Sequence, residues 1–126
     1  MSTQVETMSV QDVANKLVEL SREGKLIEAI HELYDDNVVS IEPEGSPMQR
    51  TEGKEAVLNA NEQWFSSVEE IHDSSISDPL LGGNFFACNM KFDVTYKEQG
   101  RNIMDELAVY EVKNGKIVSS EFFYTM

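Results

Sequence analysis

The sequence has few of the residues that build cross-linked or metal-bound proteins. Its 126 residues include one cysteine, Cys88, and two histidines, His31 and His72. A single thiol cannot form an internal disulfide, so nothing in the chain requires an oxidising compartment. The histidines and the cysteine lack the spacing of a metal site, and no glycine-rich phosphate loop or Ser-His-Asp arrangement is evident. We therefore expect no metal and no cofactor, and we interpret Cys88 as a small buried hydrophobe.

Positive charge and long apolar runs are also scarce. There are 23 acidic and 10 basic residues, and the resulting net charge of −13 would repel nucleic acid and anionic membrane surfaces. No stretch approaches the ~20 apolar residues of a membrane-spanning helix. Residues 1–7 have neither the basic segment nor the apolar run of a signal peptide. We expect a cytoplasmic protein that binds neither nucleic acid nor membrane, with a flexible N-terminus at residues 1–8.

The remaining composition is typical of a folded domain. Hydrophobic residues make up 40% of the chain and charged residues 26%, and the length is close to the commonest domain size. No repeat, low-complexity tract or linker interrupts the sequence. We therefore predict one domain over residues 1–126.

Three helices are predicted in the first half of the chain. Ser9-Val-Gln-Asp12 has the form of a capping box, and apolar residues recur after it at three- and four-residue steps until Gly24. A second helix should run from Leu26 to Tyr34 and end at Asp35-Asp36-Asn37, whose side chains favour turns. Residues 38–42 predict a strand, residues 44–50 a loop, and residues 54–65 the third helix.

The second half predicts a meander of four strands, over residues 68–81, 86–96, 103–112 and 117–125. The second of these strands alternates strictly between apolar and mostly polar residues, its apolar positions being Phe86, Cys88, Met90, Phe92, Val94 and Tyr96. Gly82-Gly83, Gln99-Gly100 and Asn114-Gly115 supply the turns. Helices followed by a meander predict an α+β fold, in which three helices cover one face of a curved, mainly antiparallel sheet and leave a pocket beneath them.

Three segments carry a resemblance to a known superfamily. Residues 24–39 resemble the passage from helix 2 into a strand, Glu42-Pro-Glu-Gly45 resembles the Asp-Pro-x-Gly segment of a general base, and residues 113–118 resemble a last hairpin. All three are similar to segments of the nuclear transport factor 2-like superfamily, which includes SnoaL-like polyketide cyclases and ketosteroid isomerases. The resemblance extends from about residue 9 to 124. It implies a cone-shaped, cystatin-like fold around a small-molecule pocket.

The resemblance also suggests how the pocket differs from that of a ketosteroid isomerase. In those enzymes an Asp is the base, while a Tyr and a protonated Asp hold the oxyanion. Carried over, the base falls on Glu42, the Tyr on Leu17, and the acid on Ala108 or Val109. Loss of even one oxyanion donor typically lowers the rate about 100- to 1000-fold. The resemblance therefore argues against a steroid-type isomerase.

A second carboxylate, Glu106, stands in an apolar stripe of the strand predicted over residues 103–112. It shares a face with Met104, Ala108, Tyr110 and Val112. The opposite face, with Ile103, Leu107 and Val109, is almost as apolar, and a register error of one residue would exchange the two faces. We interpret the face of Glu106 as the inner one. An apolar outer face then predicts a homodimer.

The predicted site combines these carboxylates with aromatic and apolar side chains. Glu42 and Glu106 are the candidate catalytic residues, and Glu42 is either a pocket base or a rim carboxylate. The predicted substrate-binding residues are Trp64, Met90, Phe92, Tyr96, Tyr110, Phe122 and Tyr124. We expect a SnoaL-like protein that binds a small apolar ligand. It is either an isomerase or cyclase acting on an apolar carbonyl compound, or a non-catalytic ligand-binding or dimerisation module of the same fold.

Overall fold

The computed structural model of the chain describes residues 8–125, so most of the predicted flexible N-terminus lies outside the described residues. These residues form three helices and seven strands. In chain order they are α1 (Val10–Arg22), α2 (Leu26–Leu33), β1 (Tyr34–Ile41), β2 (Arg50–Glu52), α3 (Lys54–Ser67), β3 (Val68–Ile76), β4 (Leu80–Gly82), β5 (Phe85–Tyr96), β6 (Gly100–Lys113) and β7 (Lys116–Phe123).

The predicted capping box begins α1. The Asp12 amide donates to the Ser9 hydroxyl at 3.0 Å, and the Ser9 amide donates to the Asp12 carboxylate at 3.4 Å. These two bonds satisfy amides that have no partner inside the helix. The apolar side of α1 is buried, with Val13, Leu17 and Leu20 at most 5% exposed. Helix α1 therefore begins where the sequence predicts and presents its apolar stripe to the core.

The passage from α2 into β1 differs from the prediction. Helix α2 ends at Leu33, and Tyr34 is already the first residue of a strand. The predicted turn residues lie within this strand, where the Asn37 amide donates to the Asp35 carboxylate at 2.9 Å. Tyr34 pairs with Ile117, and the register shifts before Val39. Pairing with β7 therefore outweighs the local turn preference, which survives only as an irregularity in the ladder.

The seven strands form one curved, unclosed mixed sheet. The path of pairing is β2-β1-β7-β6-β5-β3, and β4 pairs with the remaining length of β5. All neighbours are antiparallel except β1 and β7, which are parallel. The segment predicted as one strand over residues 68–81 is thus two strands separated at 77–79, because Pro79 has no amide to donate to a ladder. The sequence predicted a loop over residues 44–50, whereas in the structure Arg50 is the first residue of strand β2.

The β6–β7 hairpin turns at Asn114-Gly115, as predicted. Asn114 has φ 51° and Gly115 has φ 74°. Two successive residues with positive φ match the tight turn whose twist suits antiparallel strands. This hairpin fixes which residues of β7 face inward, opposite those of β6.

The core lies between the three helices and the inner face of the sheet. The predicted alternation of β5 is confirmed, because Phe86, Cys88, Met90, Phe92 and Val94 are all buried. Strand β6 faces the same way at Ala108 and Tyr110, whereas Ile103 is 61% exposed on the opposite face. The interpretation of the face that carries Glu106 as the inner one is therefore confirmed. Within residues 8–125, no helix is long and apolar enough to cross a membrane.

Candidate active site

The structure contains a cavity of about 320 Å³ between the helices and the sheet. Its walls are mainly apolar, and all three helices contribute to them. They are formed by Leu17, Leu26, Ile30, Tyr34, Ser40, Glu42, Ser46, Pro47, Met48, Thr51, Val57, Ala60, Asn61, Trp64, Met90, Phe92, Met104, Glu106, Tyr110, Ser120, Phe122 and Tyr124. This volume lies at the lower end of the range of about 300–1,000 Å³ for small-molecule pockets.

Glu42 occupies the rim of this cavity, directly after the last residue of β1. Its amide donates to the Gln49 carbonyl at 2.8 Å, which closes the loop 43–48. Its carboxylate accepts a hydrogen bond of 2.8 Å from the Tyr124 hydroxyl. Burial raises the pKa of Glu42, while the Tyr124 hydrogen bond lowers it by stabilising the ionised form. Backbone and side chain of Glu42 are thus both held in place by the structure.

Glu106 projects into the cavity from the middle of β6. It lies opposite Met90 in the β5–β6 ladder, with Met104 and Ala108 next to it on the same face. Burial among these apolar groups raises the pKa of Glu106 to about 7, and the negative charge of Glu42 adds to the rise. Near neutral pH, Glu106 therefore populates both the protonated and the ionised form.

Two phenols and a serine form a polar group on the sheet side of the cavity. Tyr110 and Ser120 are directly opposite in the β6–β7 ladder, and Ser120 also pairs with Ser40 of β1. Tyr34 lies close enough to both for their hydroxyls to influence its pKa, although burial dominates and raises the pKa of Tyr34 and of Tyr110. These phenols therefore remain protonated hydrogen-bond donors at any physiological pH.

Two serine residues of the cavity wall carry buried hydroxyls. The Ser120 hydroxyl belongs to a residue that is only 1% exposed, and the Ser46 hydroxyl lies in the loop after Glu42. A buried polar group without a hydrogen bond is costly, and most such groups in native proteins find one. The Tyr34 phenol lies beside Ser120 and is within reach of its hydroxyl, and both serine oxygens are covered by protein atoms.

Tyr96 is the one predicted pocket residue that does not line the cavity. It accepts a hydrogen bond of 3.1 Å from the Trp64 indole and donates one of 3.0 Å to the Met104 sulfur. Tyr96 is the last residue of β5, and both of its partners, Trp64 and Met104, line the cavity. It acts on the site indirectly, because it fixes the indole ring of Trp64 against Phe92, with ring centroids 6.0 Å apart.

The structure brings the other predicted residues together around one cavity. Both carboxylates line it, and so do the remaining predicted substrate-binding residues, namely Trp64, Met90, Phe92, Tyr110, Phe122 and Tyr124. Their roles in binding or catalysis stay predictions. The resemblance assigned the oxyanion Tyr to Leu17, which is an apolar residue of the cavity wall. Of the two positions to which it assigned the oxyanion acid, Ala108 is fully buried next to Glu106.

Sequence reasoning missed the polar residues Tyr34, Ser46 and Ser120. Ser120 shares the alternation of Phe122 and Tyr124, so its inward position could have been read from the sequence. Tyr34 could not, because it was assigned to a helix. Ser46 lies in a loop without periodicity, so no sequence signal pointed to it.

Within residues 8–125, no group of three or more His, Cys, Asp or Glu side chains could hold a metal ion. The titratable groups of the cavity are carboxyls and phenols. This arrangement can accept and donate protons and hydrogen bonds in a largely apolar space.

Comparison with known proteins agrees with this architecture. A candidate SnoaL-like polyketide cyclase from Mesorhizobium loti is 37% identical, with 93% of this chain and 100% of that chain covered and a TM-score of 0.85. A nuclear transport factor 2-like protein of unknown function from Burkholderia pseudomallei is 15% identical over 94% and 92% of the two chains, with a TM-score of 0.76. A candidate isomerase from Bacillus subtilis is 22% identical over 94% and 90%, with a TM-score of 0.68. No match was found among curated proteins.

The family is shown by the sequence itself. The model of the SnoaL-like domain family matches residues 8–124, which is almost the whole chain. The match includes all three helices and the complete sheet that surround the cavity. The chain therefore belongs to the SnoaL-like domain family, within the nuclear transport factor 2-like superfamily.

Proposed function

We propose that this protein binds a small, mainly apolar carbonyl compound and catalyses a proton transfer on it, as in an isomerisation or cyclisation. Glu42 is the general base, and Glu106 is the acid that donates a hydrogen bond to the substrate oxygen. One observation carries the proposal: two carboxyl groups share one apolar cavity but have different surroundings. Different surroundings separate the pKa values of such a pair and so assign the base and the acid.

Glu42 suits the role of base because a hydrogen bond holds its carboxylate at the cavity rim while its pKa remains raised. The hydroxyl of Tyr124 donates to its carboxylate, while burial raises its pKa above that of an exposed Glu. A base with a raised pKa takes a proton from carbon more readily. The hydrogen bond also orients the carboxylate, which helps it to meet the substrate in one geometry.

Glu106 suits the role of acid because it lies deeper and is partly protonated near neutral pH. A neutral carboxylic acid in an apolar pocket can donate a hydrogen bond to a developing enolate oxygen. The resemblance placed this donor at Ala108 or Val109, both apolar, and therefore argued against such chemistry. Glu106 lies on the same face of β6 as Ala108, so it can compensate for the missing donor.

The relative from Mesorhizobium loti is described as a candidate polyketide cyclase and also as a carbohydrate phosphatase, and the first of these descriptions supports the same reaction class. The second candidate function is a non-catalytic ligand-binding module of the same fold. Leu17 favours it, because it leaves the cavity without one of the donors expected of an isomerase. The two functions differ in one measurable property, namely whether Glu42 removes protons from a bound carbonyl compound.

Proton abstraction can be tested with 2-tetralone, an uncharged bicyclic ketone with acidic α-protons. The protein should accelerate exchange of these protons for deuterium in heavy water, followed by proton NMR. Glu42→Gln keeps the size of the side chain but removes the proton-accepting charge. We expect the exchange rate to fall about 100-fold or more, with little change in ketone affinity.

The matched control is Glu44→Gln, which removes a charge from the same loop at an exposed position. It should leave the exchange rate unchanged. Equal rates for the wild type, Glu42→Gln and Glu44→Gln would contradict catalysis by Glu42 and favour the binding module.

A further inference from the structure

The charged groups of the cavity wall all have the same sign. Glu42 and Glu106 line the cavity, whereas its wall includes no Lys, Arg or His. Among residues 8–125, no basic side chain forms an ion pair with either carboxylate. In this part of the chain, no basic group therefore offsets the effect of the Glu42 charge on Glu106. A ligand with a negative charge would add to this repulsion, and a ligand with a positive charge would relieve it.

The apolar part of the wall also suits a cation on an aromatic or aliphatic frame. Trp64, Phe92 and Phe122 line the cavity. The negative faces of aromatic rings attract cations, most strongly when water is excluded. The same rings bury the hydrophobic frame of such a ligand.

A third feature is that the two carboxylates lie in one cavity, close enough for the charge of Glu42 to raise the pKa of Glu106. Carboxylate oxygens accept hydrogen bonds, and a primary ammonium group carries three N–H donors. Glu42 and Glu106 together provide acceptors for such a group. The charge, the aromatic rings and the two neighbouring carboxylates thus point to the same kind of ligand.

We propose that this cavity binds amphiphilic primary amines in their ammonium form, with the ammonium group held by Glu42 and Glu106 and the frame against Trp64. The ligand class deepens the proposed function, because it concerns the same cavity, yet it requires no turnover. Binding of the ammonium ion favours ionised Glu106, so the carboxyl proton passes to solvent as the ligand enters. A bound amine therefore removes the acid of the proposed reaction and inhibits it.

The pH dependence follows from the groups that surround Glu106. No residue of α1, α2 or α3 on the cavity wall is titratable. The titratable groups that face Glu106 come from the sheet and from the residues that follow β1 and β7, and they are Tyr34, Glu42, Cys88, Tyr110 and Tyr124. Burial raises the pKa of the Cys88 thiol to about 11 and keeps the three phenols protonated. Ammonium affinity should therefore rise with pH through about 7, as Glu106 ionises, and then remain constant until the amine itself loses its proton.

Three ligands with one frame and different charge test the proposal: 4-phenylbutylammonium, 4-phenylbutan-1-ol and 4-phenylbutanoate. Trp64 is the only tryptophan of the chain and lines the cavity, so its fluorescence reports binding there. At about pH 8.5 we expect the ammonium ion to bind about tenfold more tightly than the alcohol, and the carboxylate most weakly. At about pH 5.5 the preference for the ammonium ion should fall several-fold, because Glu106 is then protonated.

Two variants separate charge recognition from simple hydrophobic binding. Glu106→Gln should abolish most of the ammonium preference and its pH dependence, while affinity for the alcohol stays within about twofold. Glu44→Gln, an exposed change on the neighbouring loop, should retain the wild-type preference. Calorimetry in two buffers of different ionisation enthalpy should show proton release when the amine binds near pH 7.

The proposal is overturned if the alcohol or the carboxylate binds as tightly as the ammonium ion at about pH 8.5, or if Glu106→Gln keeps the preference. Failure of all three ligands to bind at millimolar concentration also overturns it. These outcomes are independent of catalysis. Amine binding without deuterium exchange would refute only the proposed reaction, and exchange without an ammonium preference would refute only the ligand class.

Discussion

Glu42 and Glu106 are both glutamates, but the structure places their carboxylates in different surroundings. Glu42 begins a loop and receives a hydrogen bond from Tyr124, whereas Glu106 lies among apolar side chains of the sheet. A carboxylate that loses water without gaining a donor favours its protonated form. At the scale of single residues, this asymmetry is what a proton-transfer site requires.

The stability of the protein should depend on the ionisation of Glu106. Its pKa is raised to about 7 in the folded state from an ordinary value of 4.5, so the folded protein binds more protons than the unfolded chain between these values. Its contribution to stability is therefore greatest below about pH 4.5 and is lost as the pH rises through about 7. Glu106→Gln should raise the free energy of unfolding relative to wild type at about pH 8.5, and less so at about pH 5.5, as measured by urea denaturation.

The matched control is Asp105→Asn, which changes the neighbouring carboxylate on the exposed, outer face of β6. It should not reproduce the pH-dependent gain, because that side chain remains in water. A difference between Glu106→Gln and wild type that stays constant with pH would contradict a raised pKa for Glu106.

At the scale of elements, the sequence predicted the end of a helix or strand correctly where residues at that end form the cap or turn. Ser9 and Asp12 define the beginning of α1, and Asn114-Gly115 define the β6–β7 turn. Elements whose ends depend on a distant partner were predicted less well. Strand β1 begins at Tyr34 because β7 pairs with it, and β2 forms only against β1. Each pairing depends on the residues of both strands, so the residues of one strand alone do not specify it.

The capping box should contribute measurably to the stability of the whole domain. Ser9→Ala removes the hydroxyl that accepts the Asp12 amide, and the amide then loses its partner at the helix terminus. We expect a loss of about 1 kcal/mol in the free energy of unfolding, measured with urea. Ser75→Ala, at an exposed position in β3, is the control and should change stability by less than about 0.5 kcal/mol. An equal effect of both substitutions would show that the cap is not formed in solution.

At the scale of the whole molecule, the outer face of the sheet has no covering layer. Leu107 and Phe123 are cross-strand partners there and are 45% and 48% exposed. Leu80, Phe85 and Ile103 on the same face are also exposed. An apolar area of this kind on the surface of a domain is typical of a protein–protein interface. We propose that a second copy of the chain covers it, so that the protein is a homodimer.

Sedimentation velocity should show a dimer at about 10 μM, a concentration at which standard-size interfaces persist. Leu107→Glu places a charge in the centre of the outer face and should produce monomers that remain folded, because the position is exposed. Met48→Glu is the control: it adds the same charge at an exposed residue of the cavity wall, and should leave the dimer intact. A monomeric wild-type protein at this concentration would contradict the proposed interface.

The sequence by itself determined the fold and most of the cavity wall. Periodicity places side chains on one face of a helix or strand, and the alternation of β5 was sufficient to assign Met90 and Phe92 to the inner face. For Glu106 the two faces of β6 are almost equally apolar, so the sequence favoured the inner face and the structure decided it. The family resemblance led to the same architecture. These features follow from short-range geometry, which the order of residues specifies directly.

Only the tertiary structure decided how the polar groups of the cavity meet. Tyr124 reaches Glu42 across 82 residues of chain, and Ser120 comes beside Tyr34 only because β1 and β7 are parallel neighbours. The raised pKa of Glu106 likewise reflects burial by several elements and the nearby charge of Glu42. Desolvation and electrostatic coupling depend on distances in space, and no local pattern specifies those distances.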